Sequence, residues 1–355
     1  MGKEISKASP MQQLAYFNDN TNLYKVQVDS QAGSENGTIK FKYDDTKLLA
    51  KSYLLVEATL TATHANSSTY TPHEDGPFNF IKRLSLMSHL GFRSFDVSGK
   101  MLKLMNFANL GDTKMTTGTT STSRKRIIQG LSASSGGTAN KVKFLVELPN
   151  VVNDRDLAGL ILLQNKKVNI QLELQLGTVS DLAPASSGYT FALSAITVSL
   201  YADLFNIPEN LEMYPMDLIR VVKLCHEQQY QVINGENTIK LTTGNTFRKI
   251  FMQFQTSSDV RSADSTLGDF YLIVGGTNYK YRISPYMLAE QNQKDGYDLP
   301  YGTFALDFSS GQGLMNLSGR RDYINTDELT ELWIRFTSSA TGNLLLGTET
   351  LTTLK

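Results

Sequence analysis

TIKF (Thr38–Phe41) and TIKL (Thr238–Leu241) are nearly the same four residues, set far apart in one chain of 355 residues. The stretches after the two copies also match. TIKF leads to an apolar strand, YLLVEATL (Tyr53–Leu60), and TIKL leads to KIFMQFQT (Lys249–Thr256). An aromatic strand then enters a Gly and a helix-like stretch: FDVSGKMLKLMNFANL in the first half, FYLIVGGTNYKYRISPYMLAEQN in the second. VKFLVEL (Val142–Leu148) answers GTFALDF (Gly302–Phe308), VNIQLEL answers ELWIRFT, and AITVSLYA (Ala195–Ala202) answers LLLGTETL (Leu344–Leu351). The order is kept at every step. The offset between partners shrinks along the chain, so first-half loops are longer, mainly between Asp112 and Lys141.

The dominant hydrophobic period is two. VNIQLELQL (Val168–Leu176) puts Val168, Ile170, Leu172, Leu174 and Leu176 on one face and Asn169, Gln171, Glu173 and Gln175 on the other. A half-buried strand needs this alternation, because successive side chains point to opposite faces of a sheet. Gly, Ser, Asn and Asp clusters punctuate the strands. Helical signals are short. SPMQQLAYF (Ser9–Phe17) offers a Ser N-cap, Pro at the first helical position and Gln12 closing a capping box. PYMLAEQNQ after Ser284 and GKMLKLMNFANLGD (Gly99–Asp112) are further candidates. DRDLAGLILL is expected to hold one or two helical turns. The chain therefore reads as all-β with a few short helices, carrying one β-domain twice: an N-terminal arm (1–20), a first domain (21–205), a linker (206–216, containing NIPENLEMYP at Asn206–Pro215) and a second domain (217–355).

Composition narrows the function. Hydrophobic residues make up 41% and charged residues 19%, which suits a globular chain. Lys+Arg and Asp+Glu balance at 34 each, so sequence-specific or general nucleic-acid binding is not expected. One cysteine, Cys225, allows no intrachain disulfide and favours a cytosolic origin. No apolar run has signal-peptide or membrane-span length, so a soluble chain is expected. The four histidines, His64, His73, His89 and His226, lack the close spacing of a metal motif. Cys225 and His226 are adjacent on a strand and point apart, so they cannot act as nucleophile and base. Asp154 and Asp156 suit the start of a helix better than a glycosidase pair. GQG (Gly311–Gly313) and GG (Gly275–Gly276) read as turns, and RKR (Arg124–Arg126) as the flank of a solvated loop. No catalytic residue, cofactor or metal is expected, and the chain is not read as an enzyme.

Eight short antiparallel strands in two packed sheets make a jelly roll, and each half has about the right length for one. VSGKMLKLMNFANLGD resembles the G-x-x-L-x-x-x-N stretch of double jelly-roll capsid proteins. LPNVVNDRDLAGLILLQNKKVNIQLEL resembles the same lineage's passage from a strand, through Leu-Pro and a short helix rich in Leu and Ala, into an alternating strand. Together with the two tandem halves, these features are similar to the major capsid proteins of tectiviruses that infect Bacillus. The resemblance implies two tandem eight-stranded jelly rolls and homotrimers that tile an icosahedral shell around an internal membrane. It also implies neighbouring capsomers, vertex and minor capsid proteins as partners, and residence in the virion after assembly in the host cytoplasm. It places the loop 112–141 on the outer face of the shell. The arm would run beneath the capsomer, towards neighbouring subunits and the membrane; the alternative is that it packs on its own first domain. Lys3 and Lys7 would meet lipid headgroups, Met11, Leu14 and Ala15 would share a helix face, and Phe17 would lie near its edge. A two-domain carbohydrate-binding or glycoside-active jelly roll, or a viral spike or receptor-binding protein, would show the same strand pattern. Trp333 is expected to face away from Leu332 and Ile334, at a domain or subunit interface.

Overall fold

Alternation sets the architecture. In the longest first-half strand, Leu54, Val56, Ala58, Leu60 and Ala62 are buried while the residues between them are half-exposed, as a sheet with one face on a core requires. The computed structural model describes residues 9–43, 47–88, 91–110, 131–152, 156–164, 169–207, 210, 216–276, 278–297, 299–309 and 322–353.

After helix α1 (Pro10–Asn20), the first half contributes β1 (Leu23–Ala32), β2 (Thr38–Lys42), β3 (Leu48–His64), β4 (Ser68–Tyr70), β5 (Ile81–Met87), β6 (Arg93–Val97), α2 (Gly99–Leu110), β7 (Leu131–Ala133), β8 (Thr138–Pro149), β9 (Ile161–Leu162), β10 (Gln171–Leu176), α3 (Val179–Leu182) and β11 (Tyr189–Phe205). The second half contributes α4 (Met216–Arg220), β12 (Val221–Val232), β13 (Gly235–Lys240), β14 (Thr246–Thr256), β15 (Phe270–Val274), β16 (Asn278–Ile283), α5 (Pro285–Lys294), β17 (Thr303–Asp307), β18 (Ile324–Asn325), β19 (Leu332–Ser338) and β20 (Gly342–Thr353).

In the first half, β1-β11-β3-β8 packs against β2-β10-β5-β6; in the second, β12-β20-β14-β17 packs against β13-β19-β15-β16. Strand for strand the two orders are the same, so each half is an eight-stranded jelly roll. Even the accessory strands correspond: β9 pairs with the start of β3, and β18 with the start of β14. TIKF and TIKL fall in β2 and β13, which hold equivalent edge positions.

Several expectations change in detail. DRDLAGLILL forms no helix among its described residues. Asp156 Oδ1 accepts from the Ala158 N–H, closing a tight turn before β9. VNIQLELQL becomes a strand only from Gln171, with Leu172, Leu174 and Leu176 inward; Val168 lies outside the described residues. Within 112–141, residues 112–130, including RKR, also lie outside them. Leu131–Ala133 pairs with β4, and Thr138 onward belongs to β8, because Asn140 clamps Ser132 by both its backbone N–H and C=O. His89, Asp154 and GQG are outside the described residues as well.

Candidate functional site: the junction between the rolls

The two rolls share one sheet. β6 of the first roll pairs in parallel with β12 of the second, with Phe95 opposite Cys225 and Asp96 opposite His226. The result is a continuous nine-stranded sheet. Side chains hold the seam: the Ser98 N–H donates to Glu227 at 2.6 Å, and His226 Nε2 lies 2.9 Å from the Arg93 carbonyl. Across β6, Asp96 accepts from Arg83, Ser85 and Arg93. Burial would raise the Asp96 carboxyl, but these donors hold it far below the usual carboxylate range.

Helix α2 fills the space beside this seam. Its start needs Gly99, since a Cβ there would stand 1.8 Å from the Phe78 carbonyl oxygen. The Ser98 hydroxyl accepts from the Met101 N–H as a cap. Leu102 is buried, and Asn106 reaches sideways to β8, donating to the Glu147 carbonyl and accepting from the Glu147 N–H. Met101 is wholly buried over Gly347 of β20, where a Cβ would meet its sulfur at 2.3 Å. First-roll residues therefore share one apolar cluster with Cys225, Phe251, Tyr297, Ala305 and Leu345 of the second roll. This explains why KIFMQFQT does not alternate. In β14, Ile250, Met252 and Phe254 face the second core, while Lys249, Phe251, Gln253 and Gln255 occupy the other face, where Phe251 joins the first roll's cluster and all four are buried.

Two ionic clusters lock the junction. Asp75, from the first roll, takes Lys103 and Arg261 Nη1 at 3.1 Å each and the Gln253 amide at 3.0 Å. Arg261 also binds Glu74, through its backbone N–H at 2.6 Å and its guanidinium at 3.2 Å. Burial alone would raise the Asp75 carboxyl; Lys103 and Arg261 bring it below its ordinary value. Deeper in the second roll, Glu349 binds Arg248 and lies 3.4 Å from Lys223. Arg248 donates to the Val152 carbonyl and Lys223 to the Val151 carbonyl, tying the first roll's chain to this triad. Despite burial, Lys223, Arg248 and Lys249 keep Glu349 below the usual range. Burial pushes the Cys225 thiol up to about 12, so it packs as an inert apolar group. No grouping of His, Cys, Asp and Glu fit for a metal occurs among the described residues.

The arm differs from expectation. Lys3 and Lys7 lie outside the described residues. The Ser9–Gln12 capping box forms as expected, and α1 runs to Asn20. Met11 and Leu14 are exposed, at 83% and 42%. Phe17, expected near the edge of the helix face, is instead its buried anchor at 1% exposure. It packs with Leu48, Ala50, Val151 and Leu160, its ring 5.5 Å from that of Phe205. A phenylalanine gains about 2 kcal/mol on burial, enough to choose which face docks. Trp333 is half-buried on the side of β19 away from the core, with Lys240 5.4 Å from its ring centre.

The match between the two helix-like stretches extends to individual residues. SGKMLKLMN (Ser98–Asn106) recurs as SPYMLAEQN (Ser284–Asn292), with Ser, Met, Leu and Asn in the same places. Ser284 caps Met287, Leu288 is buried, and Asn292 exchanges hydrogen bonds with Ala305 of β17 as Asn106 does with Glu147 of β8. The shared residues follow helical spacing, which a strand pattern ignores.

No family model and no curated relative matches the sequence. Solved structures do. The major capsid protein of STIV, the Sulfolobus Turreted Icosahedral Virus, superimposes with a TM-score of 0.69 at 14% identity over 94% of this chain and 97% of that one. The major capsid protein P2 of bacteriophage PM2 gives 0.59 at 11% identity over 94% and 98%. The PBCV-1 virus capsid gives 0.60 at 11% over 94% of each chain. The fold is thus that of the double jelly-roll major capsid proteins.

Proposed function

We propose that this chain is the major capsid protein of an icosahedral virus, a tectivirus-like bacteriophage with a membrane inside its shell. One observation carries the reading: two equivalent eight-stranded rolls are fused side by side through a shared sheet, and capsid proteins with this arrangement match the chain along nearly their whole length. The chain acts as a structural unit and not as an enzyme. Three copies supply six rolls, giving a trimer with nearly hexagonal edges suited to tiling a shell with its neighbours, vertex and minor proteins. The stretch between α2 and β7, expected as part of a loop over 112–141, faces outward. The arm, 1–20, is pinned to its own roll by Phe17 and offers Met11 and Leu14, with Lys3 and Lys7 before them, to adjacent subunits or to the membrane. The rolls span 21–205 and 217–355, joined by 206–216.

Electron microscopy of the purified full chain tests this reading. Trimeric particles with a six-lobed outline are expected, and assembly in infected or co-expressing cells into closed shells. A monomer retained on a glycan column without any such particle overturns it.

A further inference from the structure

Within the chain, one roll's β6 edge and α2 receive the other roll's β12 edge. Each roll also has the complementary edge left over. β16, the second roll's counterpart of β6, ends its sheet, and β1, the first roll's counterpart of β12, ends its own. Among the described residues both edges are unpaired, and both carry exposed apolar side chains among polar ones. Leu23, Tyr24 and Val26 of β1 are 47%, 40% and 37% exposed; Tyr279 of β16 and Tyr286 and Met287 of α5 are 52%, 70% and 50% exposed. A long, exposed apolar edge strand invites pairing with another chain.

We infer that β16 and α5 of one copy dock on β1 and the outer face of the β1-β11-β3-β8 sheet of the next copy, repeating between chains the junction that β6 and α2 make with β12 inside each chain. This rests on the capsid-trimer reading and says which surfaces close the trimer. The equivalences fix a register. The TIKF and TIKL copies place Val26 where His226 stands, and the capping serines Ser98 and Ser284 place Arg282 where Asp96 stands. Because Asp96 and His226 are paired in the parallel seam, Arg282 pairs with Val26 of the neighbour. The seam's hydrogen bond also has a successor. Ser98 N–H donates to Glu227; Ser284 N–H meets Gln27, whose side-chain carbonyl is a neutral acceptor in the same place. Met287, the counterpart of the buried Met101, is left standing in solvent for want of a covering sheet. A half-open hollow of about 390 Å³, lined by Lys25, Lys51, Tyr53, Glu147, Asp203 and Phe205 among others, lies on the receiving face.

The test is a double variant, Val26→Cys with Arg282→Cys, in the full chain. Both positions are exposed, so folding is not at stake, and the native Cys225 is buried. Neighbouring Cα atoms of paired strands lie within disulfide reach. Mild oxidation should yield a covalent ladder of dimer and trimer that stops at three chains, absent from either single variant. Met287→Asp should, independently, dissociate the trimer while leaving the circular dichroism spectrum unchanged. A native trimer in which the double variant forms no cross-link, and which survives Met287→Asp, overturns this junction and leaves the capsid reading intact. A chain that stays monomeric at all concentrations overturns both.

Discussion

β6 with α2, and β16 with α5, are built to one recipe and end in opposite environments. In both, a strand runs into a serine cap, a buried Leu and an Asn that ties the helix to the next strand. In the first roll the methionine after the cap is buried over Gly347; in the second the equivalent Met287 is half-exposed. Local sequence therefore sets the element, and the neighbouring roll sets its burial. A duplicated domain inherits two copies of each edge, and only one pair can be satisfied inside the chain.

The largest effect should come from the occupied side. Glu349→Ala strands Lys223 and Arg248 without their counter-charge, and breaking such a buried group costs about 3–5 kcal/mol. Asp203, which lies opposite Lys51 of β3 as Glu349 lies opposite Lys249 of β14, is buried too, but its ion-pair partner Lys25, at 3.8 Å, is 70% exposed, and it accepts from Tyr53. Asp203→Ala should cost about 1 kcal/mol. Urea unfolding of the two variants measures the difference; equal losses would mean that the junction confers no extra burial.

The methionine pair sharpens the same contrast. Met101→Ala should cost about 3 kcal/mol, as large-to-small changes in cores do. Met287→Ala should stay within about 0.5 kcal/mol for the isolated chain at low concentration. In the arm, Phe17→Ala should lose roughly 2 kcal/mol and free α1 for limited proteolysis, whereas Met11→Ser should do neither.

Acid supplies the smallest and most graded effect. Asp75, Glu349 and Asp307 all have carboxyls held below their ordinary values by neighbouring cations, so ionising them stabilises the folded chain above the unfolded carboxylate range. That stability is intact at neutral pH and is lost as pH falls below about 4. A melting temperature flat from pH 7 to 5 and falling below 4 is expected. Asp75→Asn should flatten the acid limb without altering the second roll's own core, because Asp75 bridges the rolls while Asp307 serves Lys249 within one.

Much of the fold is legible in the sequence because strands announce themselves by alternation. TIKF, TIKL, VKFLVEL and ELWIRFT each have one face on a core, and the serine caps of α1 and α5 are written in side chains adjacent to the turns they close. The junction is not legible. Lys249, Gln253 and Gln255 look like solvent-facing residues of a strand, and become buried only because another roll lies across them. Asp75, Lys103 and Arg261 are distant in sequence and meet through packing alone. Phe17 departs from expectation for a related reason: helical spacing identifies faces, but the gap beneath β3 and β11 decides which face is used. LAGLILL reads as helical because a short apolar run does not distinguish a turn of helix from a buried turn and strand.

The most direct measurement is the native mass of the full-length chain across a dilution series from micromolar downward. A single species of three chains, persisting on dilution, is expected from a two-roll unit whose β1 and β16 edges are satisfied only by other copies. A monomer throughout that range, with β1 and β16 still exposed, would contradict it.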